Sequence, residues 1–264
     1  MLLRYCLATL LIFIHVPVLA CELRILYGPY VTLLMVENKL ADVHGALAAQ
    51  SGCTVQFTIT NSFEMLLDKL VVQDHHFAIL PYTHADVSLE MGYERMAIIR
   101  QQNRIYRVIV RADSELQALE DLAGRKLLSA GALSESGARI ESALMELGIK
   151  EHVDIYYVAN YERNIFALLN GQTDAAITIS LYWQQLKPSI RQNKLRVLWQ
   201  RASDPAEFVA RSMKNPYKKV MQRILIKDEN LKWELPTNTL NVNPVLKQSI
   251  RQYLLESLDK AYVK

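Results

Sequence analysis

The sequence predicts an α/β protein of two lobes, each built on a parallel sheet of β-α-β units and joined by strands that cross between them. Three observations carry this. From Glu22 onward, apolar runs of strand length alternate with amphipathic helical stretches. The alternation breaks near residue 100 and then starts again. The chain has 264 residues, 51% of them hydrophobic, which suits two lobes of about a hundred residues each. Charge is mixed, with a formal net of +3 and no basic run, so nothing marks a nucleic-acid footprint.

The first twenty residues, "MLLRYCLATLLIFIHVPVLA", carry one early Arg, an apolar stretch from Cys6 to Ile14, and small Val18 and Ala20 before a cut. That is the pattern of a secretory signal peptide over residues 1–20. A short membrane anchor is the competing reading, but His15 and Pro17 interrupt the apolar run, which is too short to span comfortably. Cys21 and Cys53 then remain, each just before a strand-like segment, "ELRILYG" and "TVQFTIT". If these strands are parallel neighbours, the cysteines sit about 5 Å apart at one end, within disulfide reach. An oxidising compartment permits the bond, and loop closure of this size contributes about 3–4 kcal/mol in the chain-entropy picture. The rival is Cys21 as the lipidated first residue of a bacterial lipoprotein. "VLAC" fits that box loosely, because Leu19 stands where a smaller residue is usual, so the disulfide is favoured.

After "ELRILYG" comes a helical stretch from about Thr32 to Gln50. "TVQFTIT" is followed by a helix with Phe63, Leu66, Leu67 and Leu70 on one face, and "HFAILP" is a short buried strand. Strands Met96–Arg100 and Tyr106–Arg111 lie on either side of a polar break. A second set opens with a short helix in "SELQALEDLAGRK", then strand Lys126–Leu128, helix Ser136–Leu147, strand "VDIYYVA", helix "NIFALLNG" and strand "DAAITIS". After "KLRVLWQ" the chain predicts helical segments around Pro205–Ser212 and Pro216–Ile226 and a final helix from Pro244 to Tyr262, returning to cover the first lobe. The expected division is 1–20 signal peptide, 21–106 first lobe, 107–198 second lobe and 199–264 return segment.

Ligands in such folds sit beyond the C-terminal ends of strands, where helices begin. Ser134, Ser136 and Gly137 precede an amphipathic helix; they either cap it or offer free amides and two hydroxyls to an anion. Tyr30 comes after the Gly28-Pro29 turn and either faces the cleft or packs at a lobe edge. Ser62 is a natural N-cap whose neighbouring amides can also meet a ligand. Tyr82, Thr83 and His84 come directly after a buried strand, as binding-loop residues or as caps. His75, His76 and His84 do not have metal-site spacing, and neither a G-x-S-x-G elbow nor a P-loop occurs. No enzyme and no cofactor is expected. Asp174 suits a structural strand start.

"LRILYGPYVT", "VQFTITNSFEMLLDKL", "FAILPYTHADVSLEMGYERMA", "RVIVRADSELQALEDLAGRKL" and "ALLNGQTDAAITIS" occur in one succession between Leu23 and Ser180. Together they resemble the phosphate/phosphite/phosphonate-type periplasmic substrate-binding proteins of ABC transporters. The resemblance implies the type II periplasmic binding protein fold, with the ligand phosphoryl group at the start of the second-lobe helix. There the family carries a Ser-Thr-Ser-Gly-like turn; here it is Ser134-Glu135-Ser136-Gly137, with Glu135 replacing the threonine. Pointed outward, Glu135 completes a cap; pointed into the socket, it repels a phosphonate. The resemblance also places Glu162 where a family acid contacts a ligand amino group, or it is a first-turn acid favoured by the helix dipole. Ser180, Leu181 and Tyr182 stand where aminophosphonate binders carry a further acid, which argues against that ligand class. The expected function is a periplasmic solute-binding protein, free or lipid-anchored at Cys21, that captures a small anion for the membrane permease of an ABC transporter. The alternative is a ligand-sensing input to a membrane receptor or histidine kinase. Hinge motion is expected near Ile105–Arg111 and Leu195–Arg201.

Overall fold

The computed structural model describes residues 21–99, 105–158, 161–202, 206–211, 217–227, 233–234 and 242–262. Residues 1–20, read from the sequence as a signal peptide, lie outside the described residues, as do Arg100 and Asn160.

The first lobe begins with β1 (Glu22–Tyr27). The helix expected next arrives in three pieces: α1 (Leu33–Met35), a π-type turn Val36–Leu40, and α2 (Ala41–Ser51). Gly52, left-handed at φ 71°, ends α2, as glycine does at helix C-termini. Then come β2 (Thr54–Ile59), α3 (Phe63–Val72), β3 (Phe77–Pro81), α4 (Tyr82–Ser88) and β4 (Tyr93–Ile99). β1 pairs in parallel with both β2 and β3. Every residue of β3 is buried, the run expected of a parallel strand covered on both faces. Phe63, Leu66, Leu67 and Leu70 are the buried face of α3. Register aligns Glu22 with Thr54, so Cys21 and Cys53 meet at one sheet end and form a disulfide, Cα–Cα 4.6 Å.

The second lobe opens with β5 (Ile105–Arg111), then β6 (Lys126–Ser129), α5 (Glu135–Glu146), β7 (Asp154–Tyr157), α6 (Tyr161–Leu169), β8 (Ala175–Ile179), α7 (Ser180–Gln185), α8 (Pro188–Asn193) and β9 (Leu195–Ala202). Its sheet order is β7-β6-β8-β5-β9, with β6 parallel to β7 and β8, and β5 antiparallel to β8 and β9. Asp174 accepts the Lys126 amide at 2.8 Å and ties β8 to the start of β6, a structural role.

The chain then returns through β10 (Ala206–Arg211), α9 (Lys218–Lys227), β11 (Trp233–Glu234) and α10 (Pro244–Tyr262). Here the structure corrects one expectation. The segment read as helical around Pro205–Ser212 is strand β10, inserted antiparallel between β3 and β4 in the first sheet. The reason is tertiary: both ladders satisfy its backbone, and Val209 is fully buried between them, which outweighs local preference. Met221, Ile224 and Leu225 of α9 and Leu246, Ile250 and Leu254 of α10 join the first-lobe core; a fully buried side chain of this kind contributes about 1.5–3 kcal/mol. Lys247 and Arg251 of α10 also pair with Asp86 and Glu90, fastening α10 to α4 and the turn after it. Burial pushes the Asp86 carboxyl up, but hydrogen bonds from Lys247 and Arg95 outweigh it and hold the group below its ordinary range. No helix among the described residues is long and apolar enough to cross a membrane.

Candidate functional site

Strand β6 ends at Ser129 and the chain reaches α5 through a short turn. Gly131 sits there at φ 119°, a conformation that favours glycine. Ser134 is the N-cap of α5, and its hydroxyl accepts the Gly137 amide at 3.0 Å. Gly137 has a steric reason to be glycine. A Cβ there would lie 2.7 Å from the hydroxyls of both Ser129 and Ser134 and 3.0 Å from the Gly131 carbonyl. The Ser136 hydroxyl is 2.7 Å from that of Tyr161, at the start of α6. Ser129 and Asn164 are both fully buried, and their side-chain polar atoms have no hydrogen-bond partner among the described residues. Buried polar atoms are rarely left so; Ser129 stands directly beside the α5 N-terminus.

The first lobe supplies the facing wall. Ser62 caps α3 by accepting the Met65 amide at 3.1 Å. Phe63, one residue on, is buried, with its ring 6.4 Å from that of Tyr30 and 5.1 Å from that of His84. Tyr30 is packed: its hydroxyl donates to the Ile79 carbonyl at 2.7 Å and its ring backs Phe63. Tyr82, Thr83 and His84 form the first turn of α4 rather than a loop: β3 runs straight into the helix at Pro81, without a capping side chain. Arg95 lies over the Tyr82 ring, turned toward the α10 network. His84 is fully buried with neither ring nitrogen in good hydrogen-bond geometry. Burial lowers its pKa to about 3, outweighing the Leu133 backbone, which acts to raise it.

The two walls touch at the start of α5. Thr83 donates to Glu135 Oε1 at 3.0 Å, and Arg139 Nε stands 3.7 Å from the same oxygen. Phe63 lies 3.9 Å from the point a Cβ on Gly131 would occupy. Leu133 and Ala138 of the second lobe pack into the first-lobe core. Ser134, Glu135 and Ser136 are each at most 4% exposed at this contact.

Of the residues singled out from the sequence, Thr83, His84, Ser134, Glu135, Ser136 and Gly137 are therefore gathered where the lobes meet. Ser62, Tyr30 and Tyr82 stand behind that contact. Glu162 is exposed in the first turn of α6, where burial first and its negative charge second push the Tyr182 phenol up to about 12. The sequence pattern does not single out Phe63, Ser129, Tyr161 or Asn164 as site residues. Only Phe63 carries a signal, its place directly after a capping serine.

The family model for the phosphonate periplasmic substrate-binding protein of ABC transporters matches residues 29–229. No curated relative matches the chain in sequence. Among solved structures the chain is similar to PhnD1 from Prochlorococcus marinus in complex with methylphosphonate: 13% identity, TM-score 0.68, covering 90% of this chain and 98% of that one. It is also similar to XAC2383 from Xanthomonas citri bound to ATP (12% identity, TM-score 0.64, 91% and 99%). The aliphatic sulphonate binding protein SsuA from Escherichia coli is a third (16%, TM-score 0.57, 91% and 78%). At these identities the likeness speaks for the two-lobed type II fold, while the family match spans both lobes. The chain belongs to the phosphonate-type periplasmic substrate-binding proteins of ABC transporters.

Proposed function

We propose that the protein captures a small tetrahedral oxyanion, phosphonate- or phosphate-like, between its lobes and delivers it to the membrane permease of an ABC transporter. The observation that carries this reading is the start of α5. A capped helix N-terminus lies buried at the lobe contact, and four hydroxyls, from Ser129, Ser134, Ser136 and Tyr161, gather around it. Free amides and hydroxyls at a helix start favour negative charge. Thr83 and Phe63 face the same point from the first lobe. On this reading residues 1–20 direct export to the periplasm, and the expected divisions at 106 and 198 move to the start of β5 (Ile105) and the end of β9 (Ala202), with the rest of the chain as the return segment. Hinge motion near Ile105–Arg111 and Leu195–Arg201 opens the site. The Cys21–Cys53 disulfide supports the free form over the form lipid-anchored at Cys21.

A thermal-shift series with phosphate, phosphite, methylphosphonate, 2-aminoethylphosphonate and methanesulfonate tests it. A ligand present at about a hundred times its Kd adds about 2.7 kcal/mol to the folded state. At least one of these anions should raise Tm, and the double variant Ser134→Ala/Ser136→Ala should abolish the rise. A flat series, or an undiminished rise in the double variant, would overturn the reading.

A further inference from the structure

The first residue of α5, which borders the socket most closely, carries a carboxylate. Glu135 is 4% exposed. Its Oε1 accepts a hydrogen bond from Thr83, itself fully buried on the opposite lobe, and stands 3.7 Å from Arg139 on the next turn of its own helix. Thus the side chain is turned inward, across the lobe contact, rather than out to solvent as a helix-capping acid would be. Arg139, the guanidinium one turn into the same helix, is already engaged by this carboxylate. A second negative group brought to the socket meets one buried negative charge whose cation is in use. Meanwhile the buried Ser129 hydroxyl, lacking a partner among the described residues and lying 2.7 Å from where a Gly137 Cβ would project, offers a neutral donor. Such a set is matched to an oxyanion of low charge, because like charges in a poorly solvated site repel strongly and hydroxyl donors compensate a single charge better than two.

We infer that Glu135 sets the charge class of the ligand: the site takes monoanionic tetrahedral oxyanions and rejects the dianions of the same shape. This rests on the anion-binding reading above and narrows it. Phosphonates and phosphate then bind as their singly charged forms, and sulfonates, which carry one charge only, are the better fit.

Methanesulfonate and methylphosphonate test this, being near-isosteric and differing by one charge where the phosphonate is doubly ionised. Titration calorimetry at such a pH should show the wild-type protein binding methanesulfonate at least tenfold more tightly. Glu135→Gln keeps an oxygen that can accept from Thr83 and removes the charge, so it should shrink that ratio at least tenfold, chiefly by gaining affinity for methylphosphonate. Anion binding with an unchanged ratio in the variant overturns the role of Glu135 and leaves the anion site standing. A wild-type protein that binds the dianion as tightly as the sulfonate overturns it without any variant, so a variant that fails to fold does not rescue it. If neither anion binds either protein, the anion-site reading fails first and this inference with it.

Discussion

Helices α3 and α5 start in the same way and face each other, yet only the α5 start is proposed to meet a solute. Each has a serine N-cap accepting the amide three residues on, at 3.1 Å from Met65 and 3.0 Å from Gly137. After the cap they diverge. The α3 sequence is Phe63-Glu64-Met65, and the first of these plugs the start with a ring packed between Tyr30 and His84. The α5 sequence is Glu135-Ser136-Gly137, polar at the first two positions, with no Cβ at the third. A capping motif alone thus says little about function. The three residues after the cap decide whether the helix start is filled by the chain's own apolar side chain or left to polar groups.

The largest expected effect tests the filled start. His84 is neutral in the fold, with its pKa lowered to about 3 by burial against Phe63, whereas the unfolded chain titrates near the ordinary 6.5. Below about 6.5 the unfolded state takes up a proton that folded His84 refuses, so stability is lost as pH falls from there toward 3. Each pH unit of that interval is worth about 1.4 kcal/mol. Urea midpoints measured between about pH 6.5 and 4.5, where carboxylates still ionise, should therefore fall by the equivalent of about 2–3 kcal/mol. In His84→Phe most of that slope should vanish. An equal slope in both proteins would mean the ring is solvated, and the start of α3 would be no more closed than that of α5.

A second test addresses the open start. Gly137→Ala forces a methyl to within 2.7 Å of two hydroxyls and 3.0 Å of a backbone carbonyl. Overpacking of this kind costs about 1–3 kcal/mol, and it displaces the hydroxyls proposed to hold the anion, so stability and affinity should fall together. Gly45 is the control. A Cβ there meets nothing within 4 Å, and the residue lies inside α2 with ordinary helical φ. Gly45→Ala should stabilise by about 0.5–1 kcal/mol with affinity untouched. Thermal melts with and without a bound anion separate the two, and a neutral Gly137→Ala would mean the crowding at α5 is absent.

The division between filled and open starts also marks how far the sequence can be read. The strands β3 and β8 are legible because strands covered on both faces are apolar runs of distinctive length, and β1 and β2 because polar and apolar residues mix over a strand-length run between turn residues. The cap at Ser134 is legible because capping is local, and the disulfide because two cysteines precede neighbouring strands. β10 is not. "AEFVAR" carries no strand signal stronger than its helical one, and its partners β3 and β4 lie more than a hundred residues earlier. The start of α4 at Tyr82 is hidden for a related reason: Tyr, Thr and His are weak helix formers, and Pro81 offers no cap. In the sequence the direction of Glu135 stays open between outward and inward, since the group that turns it inward is Thr83, fifty-two residues away and on the other lobe.

Removing the two capping hydroxyls separates the two starts most cleanly, because it changes the same atom in both. Ser62→Ala and Ser134→Ala each remove one hydroxyl that accepts an N3 amide, and each should cost about 1 kcal/mol of stability, the ordinary worth of a serine cap. Their effects on anion affinity should differ. Among the described residues the Ser62 hydroxyl bonds only within its own helix, so its loss should change affinity less than about twofold, within the scatter of a net hydrogen-bond contribution. The Ser134 hydroxyl lies 3.5 Å from that of Ser136, inside the polar cluster. Its loss both frees the Gly137 amide and removes a donor, a charge-assisted contact worth about 1.5–3 kcal/mol when the acceptor is ionic, so affinity should drop at least about tenfold. Paired calorimetric titrations of the two variants measure this. Equal losses of affinity would erase the distinction between the helix starts, and an effect confined to Ser62→Ala would move the anion to the first lobe.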